Sequence, residues 1–149
     1  MKKIGQFLSY SPQQTQEIAQ QFLQKIKPGE VIGLKGELGT GKTVFVKGLA
    51  RGLAVKERVV SPSFVILKIY PGKLNGQKIE LCHLDFYRLE NPNLAEFAEF
   101  LGRKDRISVV EWPEHQKKLK LDWLVKFAHA EENTRKIEIF KVQDEGKNN

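Results

Sequence analysis

Gly36-Glu37-Leu38-Gly39-Thr40-Gly41-Lys42-Thr43 fits the pattern G-x-x-x-x-G-K-[ST], a spacing suited to gripping a polyphosphate. Glycines let successive backbone N–H groups turn inward around phosphate oxygens, because they accept the positive φ that other residues resist. The lysine then reaches the β- and γ-phosphates, and the hydroxyl after it faces a magnesium ion. At average residue usage, a chance match in a chain of this length has a frequency of about 0.5%. Glu37, Leu38, Gly39, Thr40, Gly41, Lys42 and Thr43 are therefore expected to hold ATP or ADP, with Thr43 on Mg2+.

Such a cradle needs a carboxylate nearby to orient the metal or polarise a water. Two segments offer one at the end of an apolar run: Glu111 after Ile107-Ser108-Val109-Val110, and Asp85 after Leu81-Cys82-His83-Leu84. Each also reads as a solvated strand end. Ser61 and Ser63 flank Pro62 in a loop that either reports on the γ-phosphate or is a plain turn. His83 shares a strand face with Asp85, as a switch element or a packed histidine. Tyr87-Arg88 suits phosphate, a partner or open surface. The basic runs Arg103-Lys104-Asp105-Arg106 and Lys117-Lys118-Leu119-Lys120 read as solvated faces or as RNA contacts.

The elements around these residues follow from periodicity and punctuation. Ser11-Pro12-Gln13-Gln14 predicts a helix start, with Ser11 as N-cap and Gln14 completing a capping box; Ile18, Ala19, Phe22, Leu23 and Ile26 form its apolar face. Lys27-Pro28-Gly29 is expected to stop it. A buried strand over 30–35, the glycine-rich loop and a helix over 42–53 follow in the order a phosphate site requires. Strands are expected over 64–70 and 78–85, reversed by the turn chemistry of Pro71 to Gln77, and hence antiparallel. A helix from Asn91-Pro92-Asn93 to about Leu101, a strand ending at Glu111, and strands over 121–128 and 136–142 complete the reading. The expected fold class is α/β, a three-layer αβα P-loop arrangement with a mixed, partly antiparallel central sheet, in a single domain with a frayed tail over 144–149.

The chain has 149 residues, a formal charge of +7 and one cysteine, Cys82, inside an apolar run. The charge admits a polyanionic partner but does not demand one. A lone buried thiol fits a reducing compartment, and no stretch is apolar for the ~18–20 residues a membrane span needs, so a cytoplasmic location is expected.

Taken together, Gly36 to Thr43, Ser61-Pro62-Ser63-Phe64, His83-Leu84-Asp85-Phe86-Tyr87-Arg88-Leu89 and Glu111-Trp112-Pro113-Glu114 resemble the TsaE family, also called YjeE. That family is the small ATPase of bacterial tRNA threonylcarbamoyl-adenosine synthesis. The resemblance implies ATP with Mg2+, association with a TsaB–TsaD heterodimer, and tRNA met through that complex, in which TsaD rather than TsaE transfers the threonylcarbamoyl group. It implies catalytic roles for Lys42, Asp85 and Glu111, metal binding by Thr43 and Glu111, and a switch at Ser61 and Ser63. His83, Tyr87, Arg88 and Trp112 become switch or partner residues, and Pro12 and Arg135 approach the base.

Two departures stand out: Ser63 replaces the usual Thr, and Val44 replaces a second Thr after the P-loop, which removes a hydroxyl from the α-phosphate side. A small-molecule kinase, with Arg103 and Arg106 as lid arginines, and a non-hydrolysing nucleotide-binding module are the rival readings. The chain lacks Asn-Lys-x-Asp and a strand followed by Asp-x-x-Gly, which counts against a GTPase.

Overall fold

The computed structural model describes residues 1–37, 39–60, 67–86, 101–113 and 119–142. Among them are β1 (Lys2–Ser9), α1 (Pro12–Leu23), β2 (Val31–Lys35), α2 (Lys42–Gly52), β3 (Leu67–Leu74), β4 (Gln77–Asp85), β5 (Arg106–Glu111), β6 (Trp123–His129) and β7 (Arg135–Lys141). The strands form one sheet in the order β1-β7-β6-β2-β5-β4-β3. β2 pairs in parallel with both β5 and β6, and β5 with β4, while the remaining pairs are antiparallel. The α/β class with a mixed sheet is thus as expected. The helix expected after Asn91 and the tail lie outside the described residues.

Strand alternation sorts the core into two layers. Ile32, Leu34, Leu81, Val109, Val125 and Ile137 meet Phe22, Phe45 and Leu49 of α1 and α2. Val31, Cys82, Leu84, Phe86 and Val110 form a second cluster on the opposite face. The two helices pack closely because position 48 is glycine; a Cβ there would lie 2.6 Å from the Gln16 carbonyl oxygen and 2.7 Å from Ala19 Cβ.

Several local expectations are corrected. β1 was not foreseen: its register shifts between Lys3 and Gly5, so the apolar Ile4, Phe7 and Leu8 do not alternate as a strand pattern should. The β3–β4 reversal is tighter than expected, turning at Asn75 (φ 50°) and Gly76 (φ 80°), the pair of positive angles that suits a two-residue hairpin. Pro71 remains within β3, which proline tolerates because β3 is a sheet edge.

Ser11 caps α1 by accepting from the Gln14 amide (3.1 Å), but Gln14 Oε1 accepts from Tyr10 rather than Ser11 (2.7 Å). The chain leaves the β1–β7 ladder after Ser9, so the Tyr10 amide is the donor in need of a partner. α1 ends at Leu23, ahead of the Lys27-Pro28-Gly29 segment, and Ile26 is buried beyond it. Arg106 is no part of a solvated basic run: it begins β5 opposite Glu80, and its Nε donates to the Glu80 carboxylate (3.0 Å).

Candidate functional site

Parallel pairing brings the chemistry to one end of the sheet. β2 runs out at Lys35 into the glycine-rich loop, and Leu34 is in register with Glu111, which is in register with Asp85. Asp85 shares its face of β4 with Leu81, and Glu111 its face of β5 with Val109, both on the α2 side of the sheet. Lys42 and Thr43 open α2 on that side, after Gly41 with φ 101°. Gly39 has φ 79°, and among the described residues beyond their chain neighbours no heavy atom lies within 4 Å of the Cβ position of either glycine, so the loop is left-handed and open where a phosphate would sit. Gly36 is needed for closeness instead: a Cβ there would lie 2.7 Å from the Phe127 carbonyl oxygen. Thr40 turns its hydroxyl into the loop, donating to the Glu37 carbonyl (2.6 Å).

Lys42 is buried, with Nζ donating to the Gly36 carbonyl (2.5 Å) and lying 3.8 Å from the centre of the Trp112 ring. A cation over an indole face gains more when desolvated, so the lysine is held inside the loop's rim. Trp112 reaches this place through a left-handed backbone (φ 59°), with its amide donating to the Leu34 carbonyl (3.4 Å). Such a conformation is strained for a bulky residue and persists only where the surroundings enforce it.

Glu111 and Asp85 are both buried. His83, fully buried, places Nε2 2.6 Å from Glu111 Oε2. Nδ1 has no hydrogen-bond partner among the described residues, which favours the tautomer whose Nε2–H donates to the carboxylate. His83, a switch or partner residue or a packed histidine on its sequence, has its place beside Glu111, and the two-residue offset from Asp85 is the one sequence signal of it. Among the described residues no three His, Cys, Asp or Glu side chains form a metal cage. A hydroxyl at Thr43 with carboxylates at Glu111 and Asp85 suits Mg2+, which keeps waters and substrate phosphate oxygens in its shell.

Beside the loop lies a cleft of 390 Å³ lined by Ser9, Pro12, Thr15, Gly39, Gly41, Val44, Asn133 and Arg135 among others. Pro12 and Arg135, far apart in sequence, thus meet at the P-loop. Asn133, in the β6–β7 turn with φ 61°, was not anticipated; its asparagine in a turn was the available signal. A hydrogen bond of 2.7 Å between the Ser9 and Thr15 hydroxyls ties β1 to α1 at the cleft wall. Leu38, Ser61, Ser63, Tyr87 and Arg88 lie outside the described residues. Of the arginines a kinase lid would need, Arg106 stands at the opposite end of β5 from Glu111 and pairs with Glu80, while Arg103 pairs with Asp105 at 2.9 Å.

Residues 9–137 match the family model described as threonylcarbamoyl adenosine biosynthesis protein TsaE. The chain belongs to the TsaE family. A tRNA threonylcarbamoyladenosine biosynthesis protein TsaE from Aquifex aeolicus is 35% identical over 143 residues, covering 95% of this chain and 99% of that relative. Its counterpart from Bacillus subtilis is 37% identical over 116 residues, 75% of this chain and 68% of the relative. A crystal structure of Bacillus subtilis YdiB superposes with a TM-score of 0.75 at 30% identity, covering 95% of this chain and 87% of that one. All four TsaE-like motifs, the P-loop, Ser61 to Phe64, His83 to Leu89 and Glu111 to Glu114, lie within the matched span. No helix among the described residues is long and apolar enough to cross a membrane.

Proposed function

We propose that this TsaE-family chain binds and hydrolyses ATP to support threonylcarbamoylation of adenosine in tRNA, acting with a TsaB–TsaD-type heterodimer and leaving the group transfer itself to its partner. The observation that carries the reading is the convergence of Lys42 and Thr43, at the start of α2, with Glu111 and Asp85 on adjacent strand ends. Backbone N–H groups of the loop and the positive end of α2 would receive the phosphates. Lys42 would exchange the Gly36 carbonyl for β- and γ-phosphate oxygens, with Trp112 limiting its excursion. A bound Mg2+ would supply charge neutralisation at the phosphates. Thr43 and Glu111 would hold that ion, and Asp85 would orient a water. His83 keeps the Glu111 carboxylate turned in one direction. Pro12 and Arg135 would flank the base, and the Ser61–Ser63 loop would couple phosphate state to the partner.

Turnover tests the proposal: purified protein should hydrolyse ATP slowly alone and faster with its two-subunit partner, and an unstimulated rate would sink it. Abolition of hydrolysis in Glu111→Ala, with nucleotide still bound, separates an ATPase from a non-hydrolysing binding module.

A further inference from the structure

The sheet face turned away from α1 and α2 carries a second feature, at β1, β7 and β6. Three cross-strand rows cover it: Gly33, Leu124, Phe140 and Lys3; then Lys35, Lys126, Glu138 and Gln6; then Ala128, Lys136 and Leu8. Among the described residues, these rows carry four lysines and one carboxylate. The exposed Glu131 and Glu132 belong to the turn beyond the strand ends.

Sheet surfaces that serve only solubility gain from opposite charges placed across strands, and like charges directly opposite destabilise. Here Lys35 faces Lys126 in register. Glu138 accepts from Lys3 (2.7 Å) and lies 3.9 Å from Lys136, so one carboxylate serves several cations. Its acid strength records the same field: hydrogen bonding to Lys3 holds the carboxyl below the usual range, against slight desolvation and with help from the charges of Lys136, Lys3 and Lys126. Lys126 extends over the Phe140 ring at 5.0 Å, and Leu8 is 50% exposed beside Lys136.

We propose that this β1–β7–β6 face is an RNA-binding surface that contacts the phosphate backbone through Lys3, Lys126 and Lys136. Protein-binding patches keep charge, and lysine above all, out of their centres. Lys126 stands in the middle row, with Lys3 and Lys136 in the rows on either side of it, as in nucleic-acid interfaces, which are polar and strongly positive. Lysines act as point charges on phosphate, so the surface supplies affinity and orientation rather than sequence readout. RNA is the polyanion in question because the relatives at 35% and 37% identity are named for tRNA threonylcarbamoyladenosine biosynthesis. The surface is separate from the phosphate loop and extends beyond the ATPase reading, which can stand or fall without it.

The test is fluorescence anisotropy with a labelled tRNA transcript and the full chain, across a salt series. Relative to wild type, Lys126→Gln/Lys136→Gln should bind about tenfold or more weakly, with the slope of log affinity against log salt shallower by about 1.5. ATP hydrolysis should be unchanged. Lys78→Gln/Lys104→Gln, at exposed lysines elsewhere, should bind as wild type. The proposal is overturned if wild type does not bind RNA at low salt, or if the β6–β7 double variant binds like wild type. Equal loss in the Lys78/Lys104 control would mean diffuse charge and would also overturn it. So would poly-L-glutamate competing as well as unlabelled RNA, since the face would then prefer an acidic polypeptide.

Discussion

The centre of the sheet and its β1–β7–β6 flank follow opposite rules. In the centre, β5 is buried along its whole length and β4 over its last five residues, and the carboxylates Asp85 and Glu111 stand at the strand ends. On the flank, β6 and β7 alternate buried with half-exposed positions, and β1 has one buried residue, Ser9. Parallel strands covered on both faces can present polar groups only at their tips, whereas antiparallel flanking strands present them along one side. The difference teaches where each region can act: the centre is built to focus a few groups on a small area, and the flank to spread charge over a broad one.

The hardest break of the centre is Lys42→Ala. It should lower ATP hydrolysis at least ~100–1000-fold, since a group aimed at developing charge has that order of effect, while circular dichroism stays unchanged. A rate within twofold of wild type would remove the P-loop from the mechanism. His83→Gln should lower the rate about 10–100-fold and raise the Mg2+ concentration needed for half-maximal rate, as expected when the support of a ligating carboxylate is lost. A lower rate with unaltered Mg2+ dependence would make His83 a packing residue only.

Gly48→Val tests the layer above the centre. A Cβ already meets the Gln16 carbonyl oxygen at 2.6 Å, so urea unfolding should show a loss of about 1–3 kcal/mol. Ala128→Val, on the exposed flank, should stay within about 0.5 kcal/mol. Equal effects would erase the contrast between the regions. Arg135→Ala, at the cleft where flank and loop meet, should weaken nucleotide binding about fivefold by calorimetry without changing the unfolding midpoint. Unchanged affinity would place the base elsewhere.

The smallest effect concerns Cys82, whose burial pushes its thiol from an ordinary 9.0 up to about 11 against the lowering influence of Arg106. The folded state therefore keeps a proton that the unfolded chain releases, so stability is intact below pH 9.0 and falls as pH rises toward about 11. Cys82→Ala should lack this part of the alkaline decline in unfolding free energy. Parallel curves for the two proteins would contradict the shift.

Much of the centre was legible because its signals are local. The eight-residue loop states its own backbone requirement, and the apolar runs before Asp85 and Glu111 announce buried strands with polar ends. The flank was harder. A bulge disguised β1, and the turn residues near Pro71 suggested a reversal that the edge strand passes through before turning at Asn75-Gly76. Arg106 read as part of a basic run because its partner, Glu80, is brought beside it only by parallel pairing.

By itself, then, the chain's order of residues determined the glycine-rich loop, the α/β class and the two acidic strand ends, all consequences of short-range patterning and backbone freedom. Tertiary structure alone decided that His83 bonds to Glu111, that Trp112 lies over Lys42, that Pro12, Asn133 and Arg135 meet at one cleft, and that lysines from four strands share a sheet face. These are contacts between residues distant in sequence. Strand order and register set them, and nothing in the local pattern records which strand lies beside which.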